Sequence, residues 1–168
     1  SLGSEVAIVE AADRLIAREE EFASEQVTEA LREHGVDVRL GAKAERFSGG
    51  DGEPVEVELE GGGAVEGEHV LVAVGRRPRV EGIGLESVGI EPDGPLEVDD
   101  RMRAGGREWL YAIGDVNGRA LLTHVGKYQA RAAADNVLGK DVAAPLEGAV
   151  SPRVIFTDPE VAAVGHTL

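Results

Sequence analysis

Apolar positions in this chain gather into short runs separated by glycine, and the period of those runs changes along the sequence. Val6-Ala7-Ile8-Val9, flanked by Glu5 and Glu10, has the pattern of a buried parallel strand that ends at an acid. From about Arg18 to His34 the spacing turns helical, placing Phe22, Val27, Ala30 and Leu31 on one expected face, and Gly35 supplies the stop. Val36 to Leu40 reads as the next strand. Strand, helix and strand with short links predict a right-handed parallel crossover. Val55-Glu56-Val57-Glu58-Leu59-Glu60 then alternates strictly, as a strand with one wet face does. It is expected to pair across Gly61-Gly62-Gly63 with Ala64 to Glu68, forming a small antiparallel hairpin that decorates the parallel sheet.

Val70-Leu71-Val72-Ala73-Val74 has no polar interruption and predicts a fully buried strand, closed by Gly75 and the pair Arg76-Arg77 before Pro78. Pro78 to Gly94 is rich in glycine, proline and acids, the composition of a surface excursion between folding units, with a boundary near Pro78 to Val80. Leu96-Glu97-Val98 predicts a short strand and Trp109 to Ile113 a buried one that stops at Gly114-Asp115. Thr123 to Leu138 has helical spacing and ends at Gly139. A final strand, Arg153 to Thr157, leads into Asp158-Pro159-Glu160.

Composition narrows the function classes. Aromatic residues are only 4% of the chain, so its core rests on Val, Leu, Ile and Ala. The net charge is -15, from 32 acidic and 17 basic residues, which repels phosphate backbones and anionic lipid surfaces. Nucleic acid and membrane are not expected partners. No apolar run approaches the roughly 18 residues needed to cross a bilayer, and the expected location is the cytoplasm. With no cysteine, these residues form no disulfide and bind no metal through thiolate. His34, His69, His124 and His166 are too scattered to suggest a metal site. The clusters Gly49-Gly50-Asp51-Gly52 and Gly61-Gly62-Gly63 precede no helix and read as turns rather than phosphate loops.

Two acids carry the candidate chemistry. A strand that ends at Gly114 lets a ligand approach the backbone, and the Asp115 carboxylate beside it can accept hydrogen bonds from sugar or sugar-alcohol hydroxyls. The alternative is an ordinary surface turn. Glu10 has the placement of the acid that holds an adenosine ribose in a dinucleotide fold, where its charge would repel a 2′-phosphate and favour NAD over NADP. Its alternative is a helix-entry acid favoured by the helix dipole. Arg76-Arg77 is open between a loop charge pair and a cofactor contact.

Glu10, Val74-Gly75-Arg76-Arg77-Pro78, Tyr111-Ala112-Ile113-Gly114-Asp115-Val116, Leu121-Leu122-Thr123-His124 and Phe156-Thr157-Asp158-Pro159-Glu160 occur in an order that resembles the pyridine nucleotide-disulfide oxidoreductases. The resemblance spans nearly the whole chain and is strongest to the dihydrolipoamide dehydrogenase and mercuric reductase group. It implies an α/β fold of partial Rossmann-like, FAD/NAD(P)-binding parallel sheets with a small antiparallel hairpin, of three-layer ββα type. It implies the latter part of an NAD-binding domain over residues 1–79, the returning part of an FAD-binding domain over 80–149 and the start of a dimerisation domain over 150–168. The chain is thus expected to be an internal fragment of a homodimeric, FAD- and NAD-dependent parent enzyme.

By the same resemblance, Glu10, Ala44 and Gly75 contact NAD, Asp115 after Gly114 binds the ribityl chain of FAD, and the backbone amides of Leu121, Leu122, Thr123 and His124 face the flavin pyrimidine oxygen. The parent would pass hydride from NADH to flavin and on to a disulfide, a metal ion or another acceptor. The family's cysteine pair, Gly-rich fingerprints and C-terminal His/Glu pair lie outside the matched stretch, so no catalytic residue is expected here and the isolated fragment is expected to be inactive. Two departures, Arg79 where Asn is usual and Ala104 where Thr is usual, blur the subgroup. The alternatives are a piece of a cysteine-free flavin NADH dehydrogenase and a non-catalytic nucleotide-binding module.

Overall fold

The first helix of the computed structural model, which describes residues 3–91, 93–145 and 150–167, buries small and hydroxylic side chains rather than large ones. Strand β1 (Ala7–Val9) leads to helix α1 (Glu21–Glu33) and strand β2 (Asp37–Arg39), and β1 and β2 pair in parallel with Ile8 opposite Val38. The crossover motif expected from the sequence is therefore present. Its helix is turned differently: Ala23, Ser24, Val27 and Thr28 are buried, whereas Phe22 is 62% exposed and Leu31 half-buried. Hydroxyl hydrogen bonds make that face possible. Ser24 Oγ donates to the Leu15 carbonyl at 2.6 Å and Thr28 Oγ1 to the Ser24 carbonyl at 2.7 Å, so neither polar group is stranded by burial. Gly35 ends the helix in the left-handed region at φ 83°, where a side chain would be strained.

Strands β3 (Ala44–Gly50), β4 (Glu53–Leu59) and β5 (Ala64–Gly67) form an antiparallel sheet in the order β3-β4-β5. The expected hairpin is β4-β5, with Val57 opposite Val65. Two details differ from the sequence reading. The sheet has a third strand, and it is a sheet of its own rather than an addition to the parallel pair. Alternation in β4 is kept where it matters: Val57 and Leu59 are buried while Glu56 and Glu58 are only partly covered. Arg39 links the two sheets through a hydrogen bond from Nη1 to the Ala64 carbonyl at 3.1 Å.

The segment Val70–Val74 is the largest departure. It is neither a strand nor buried: Leu71 is 89% exposed and Val74 93%. Its unbroken apolar run expresses a demand for burial, but no described strand of this chain pairs with it.

By contact density the chain divides between Val74 and Gly75, with Val154–Ala163 belonging to the first unit and Val164–His166 to the second. The boundary expected at residues 149–150 falls beside 146–149, which lie outside the described residues. In the second unit, Val80, Leu85, Leu96, Ala104 and Ala112 form one core cluster, so the presumed surface excursion after Pro78 contributes two core side chains. The segment around Leu96–Val98 and the one from Trp109 to Ile113 make only isolated bridges, Val98 with Ala104 and Arg103 with Tyr111. Trp109 is 64% exposed, so the expected buried strand is an extended segment anchored at Ala112.

A second cluster surrounds Met102, wholly enclosed with Ala132, Ala133 and Ala144. Helix α2 (Thr123–Val137) supplies two of those alanines and matches the expected span to one residue, with Gly139 at φ 81° following it. Arg101 and Asp141 form an exposed ion pair whose hydrogen bond and charges lower the Asp141 pKa and raise that of Arg101. Strand β6 (Arg153–Ile155) pairs with β7 (Val161–Ala163) and stops before Phe156, short of the expected Thr157. No described helix is long and apolar enough to cross a membrane.

Candidate functional site

The candidate residues fall into two groups, one in each unit. In the first unit, Glu10 follows β1 directly. Its amide donates to the Arg39 carbonyl at 2.9 Å and its carbonyl accepts from the Ala42 amide at 2.9 Å, while Gly41 N–H donates to the Ala12 carbonyl at 2.7 Å. These bonds zip the turn after β1 to the link between β2 and β3, and so bring Glu10 near the approach to Ala44, an exposed residue that opens β3. Glu10 Oε1 accepts from the Ala12 amide at 2.8 Å, which fixes the carboxylate on its own turn. No helix begins there; α1 starts only at Glu21, so a helix-entry role does not apply. The cleft lined by Asp13, Arg14, Glu25, Glu29 and Arg32 beside α1 contains none of the candidate contacts.

In the second unit, Gly75, Gly114, Asp115 and Leu121 to His124 are candidates. Gly114 opens a 3₁₀ turn (Gly114–Asn117) at φ 72°, a left-handed conformation that favours glycine. The turn sits tightly on α2: a Cβ on Gly126 would lie 3.3 Å from the Gly114 Cα. A Cβ built at Gly114, or at Gly75, would meet nothing within 4 Å, so each of these backbones is open to approach. Asp115, the second residue of the turn, projects a half-exposed carboxylate. Arg76 Nη1 donates to Asp115 Oδ2 at 3.0 Å and to the Leu121 carbonyl at 3.3 Å, so one guanidinium joins the carboxylate to the segment entering α2.

The start of α2 is chemically incomplete in a useful way. Its N-cap is Leu122, whose side chain cannot accept a hydrogen bond, and no side chain caps the first turn. Its amides and the positive end of the helix dipole are thus available to an anion or a carbonyl oxygen. His124 does not compete for that role: its Nε2 donates to the Pro152 carbonyl at 2.7 Å, which turns the ring away to a backbone partner.

Sequence reasoning did not identify Arg76 as the partner of Asp115, nor the buried residues behind the turn. Asn117 Nδ2 donates to the Ala112 carbonyl at 3.0 Å and to Gln129 Oε1 at 3.0 Å, and Gln129 Oε1 also accepts from the Gly114 amide at 2.7 Å. Polar residues at buried positions of a helix, here Gln129 and Asn136, were the available signal. Among the described residues, no group of three His, Cys, Asp or Glu side chains could hold a metal ion.

The family model for pyridine nucleotide-disulphide oxidoreductases matches residues 1–133. Dihydrolipoyl dehydrogenase of Corynebacterium glutamicum is 34% identical over 172 residues, covering 98% of this chain and 36% of that protein. The Pseudomonas aeruginosa enzyme of the same name is 38% identical, covering 98% and 35%. Among solved structures, LpdA from Mycobacterium tuberculosis superposes with a TM-score of 0.85 at 35% identity, covering 98% of this chain and 36% of that one. The HOCl-induced flavoprotein disulfide reductase RclA from Escherichia coli, as its Cu(II) complex, superposes with a TM-score of 0.86 at 30% identity, covering 98% and 38%. The chain therefore spans about a third of the length of the curated relatives it matches.

Proposed function

Since this chain belongs to the pyridine nucleotide-disulphide oxidoreductase family, we propose that it contributes parts of the FAD and NAD sites of an enzyme that passes hydride from NADH through flavin to a disulfide, a metal ion or another acceptor. The observation that carries this reading is the arrangement at the second unit's 3₁₀ turn: a projecting carboxylate at Asp115, open space beside Gly114, and an uncapped helix start reached through Leu121. A flavin, when bound, supplies the ring that accepts hydride from the nicotinamide.

The residues' own tasks are binding and orientation. Asp115 accepts hydrogen bonds from ribityl hydroxyls, a charge-assisted contact stronger than a neutral one. Arg76, already bonded to one oxygen of that carboxylate, restricts its rotation. The first amides of α2 donate toward a pyrimidine oxygen, where the dipole stabilises added negative charge. Glu10 accepts from the adenosine ribose through the oxygen that Ala12 does not use, and its charge opposes a 2′-phosphate, which favours NAD. Ala44 leaves an apolar surface for adenine, and Gly75 lets a dinucleotide lie against the main chain. A homodimer is part of the same proposal.

The complete gene product tests this directly. It should purify yellow with one flavin per subunit, and anaerobic NADH should bleach the flavin absorbance while NADPH does so far less efficiently. A colourless protein that takes up no FAD on incubation would refute the reading.

A further inference from the structure

Gln129 is 1% exposed, on the face of α2 that meets the 3₁₀ turn. Its neighbours determine which end of its amide is which. A backbone N–H can only donate, so the atom 2.7 Å from the Gly114 nitrogen is the oxygen. Asn117 contacts both that oxygen and the Ala112 carbonyl, and therefore presents its nitrogen to both. Gln129 Nε2 is then left buried without a hydrogen-bond partner among the described residues. A donor stranded in this way is unfavourable. If this position served only to fill space, Met or Leu would fit with similar volume and no stranded donor. What those residues lack is an acceptor directed at the first and last residues of the turn together.

We infer that Gln129 is a positioning residue for the flavin-binding carboxylate: through the Gly114 amide and the Asn117 side chain it holds both ends of the turn that presents Asp115. This inference rests on the flavin reading above. It adds that the turn's register on α2 is set by one buried oxygen rather than by the exposed Arg76–Asp115 pair, whose two side chains are 60% and 47% exposed and weakly coupled in water.

The test compares Gln129→Met with Gln129→Glu in the complete gene product, measuring FAD affinity after reconstitution of the apoprotein, the visible circular dichroism of the bound flavin and the thermal melt. Gln129→Met keeps the volume and removes the acceptor; it is expected to weaken FAD on the order of tenfold and to alter the flavin dichroism. Gln129→Glu keeps an oxygen on the same stem and is expected to stay within about threefold of wild type. Wild-type FAD affinity and dichroism in Gln129→Met would overturn the inference and leave the flavin reading standing. Wild-type protein that binds no FAD would remove the flavin reading itself. Should Gln129→Met not fold, the glutamate variant decides: near-wild-type binding supports the role, and a tenfold loss overturns it.

Discussion

Asp115→Ala in the complete gene product should weaken FAD by about 1.5–3 kcal/mol, on the order of 10- to 100-fold, because on the proposed reading it removes hydrogen bonds to a charged acceptor. The fold should survive the change. Asp115 is half-exposed and its ion pair with Arg76 is solvent-facing, a class of interaction worth roughly 0–1 kcal/mol. The turn behind it is held by the Gly114 amide and Asn117, not by the Asp115 side chain. The expected signature is thus selective, with flavin lost and far-ultraviolet dichroism and melting temperature close to wild type. Asp115→Asn should fall between the two, since an amide still accepts hydrogen bonds without a full charge. An Asp115→Ala protein that retains stoichiometric flavin through gel filtration would show that this carboxylate does not hold the ribityl chain.

The largest effect on stability is expected at Met102. It is fully enclosed, and the buried members of its cluster, Ala132, Ala133 and Ala144, are all small; the larger Val98, Tyr111 and Val142 pack against the cluster from partly buried positions, so the space it leaves is refilled only in part. Met102→Ala should cost about 2–5 kcal/mol, the range for large-to-small changes that leave a cavity. The backbone adds a second, diagnostic term. Met102 has φ 67°, where any Cβ is strained by roughly 1–2 kcal/mol. Met102→Gly loses the same packing but relieves that strain, so it should be no less stable than Met102→Ala, reversing the usual order of these two residues. Urea denaturation of both variants measures this; an alanine variant within 1 kcal/mol of wild type, or a glycine variant well below it, would contradict the argument.

How much of this was legible in the sequence depended on whether a segment's partner is near it in the chain. Helix α2 and the β4-β5 hairpin were read closely because Gly139 and Gly61-Gly62-Gly63 fix their limits locally, and β1-α1-β2 followed from short links. Val70–Val74 was misread because hydrophobicity records that a segment needs cover without saying what covers it. Phe22 was placed on the wrong face because the periodic template counts large apolar residues, while α1 buries hydroxyls that find carbonyl partners. At the candidate site, Gly114 and Asp115 stood out as a motif, but Arg76 and Gln129 lie 39 and 15 residues from their partners. A pairing at such separation leaves no trace in local spacing.

Gly75 and Arg76 are consecutive, yet on the proposed reading they serve different nucleotides: the glycine lies against the nicotinamide dinucleotide, and the arginine steadies the carboxylate that grips the flavin's tail. One trans peptide step, about 3.8 Å between Cα atoms, separates the two duties. On that reading a change in the main chain at this single step is felt by both contacts at once.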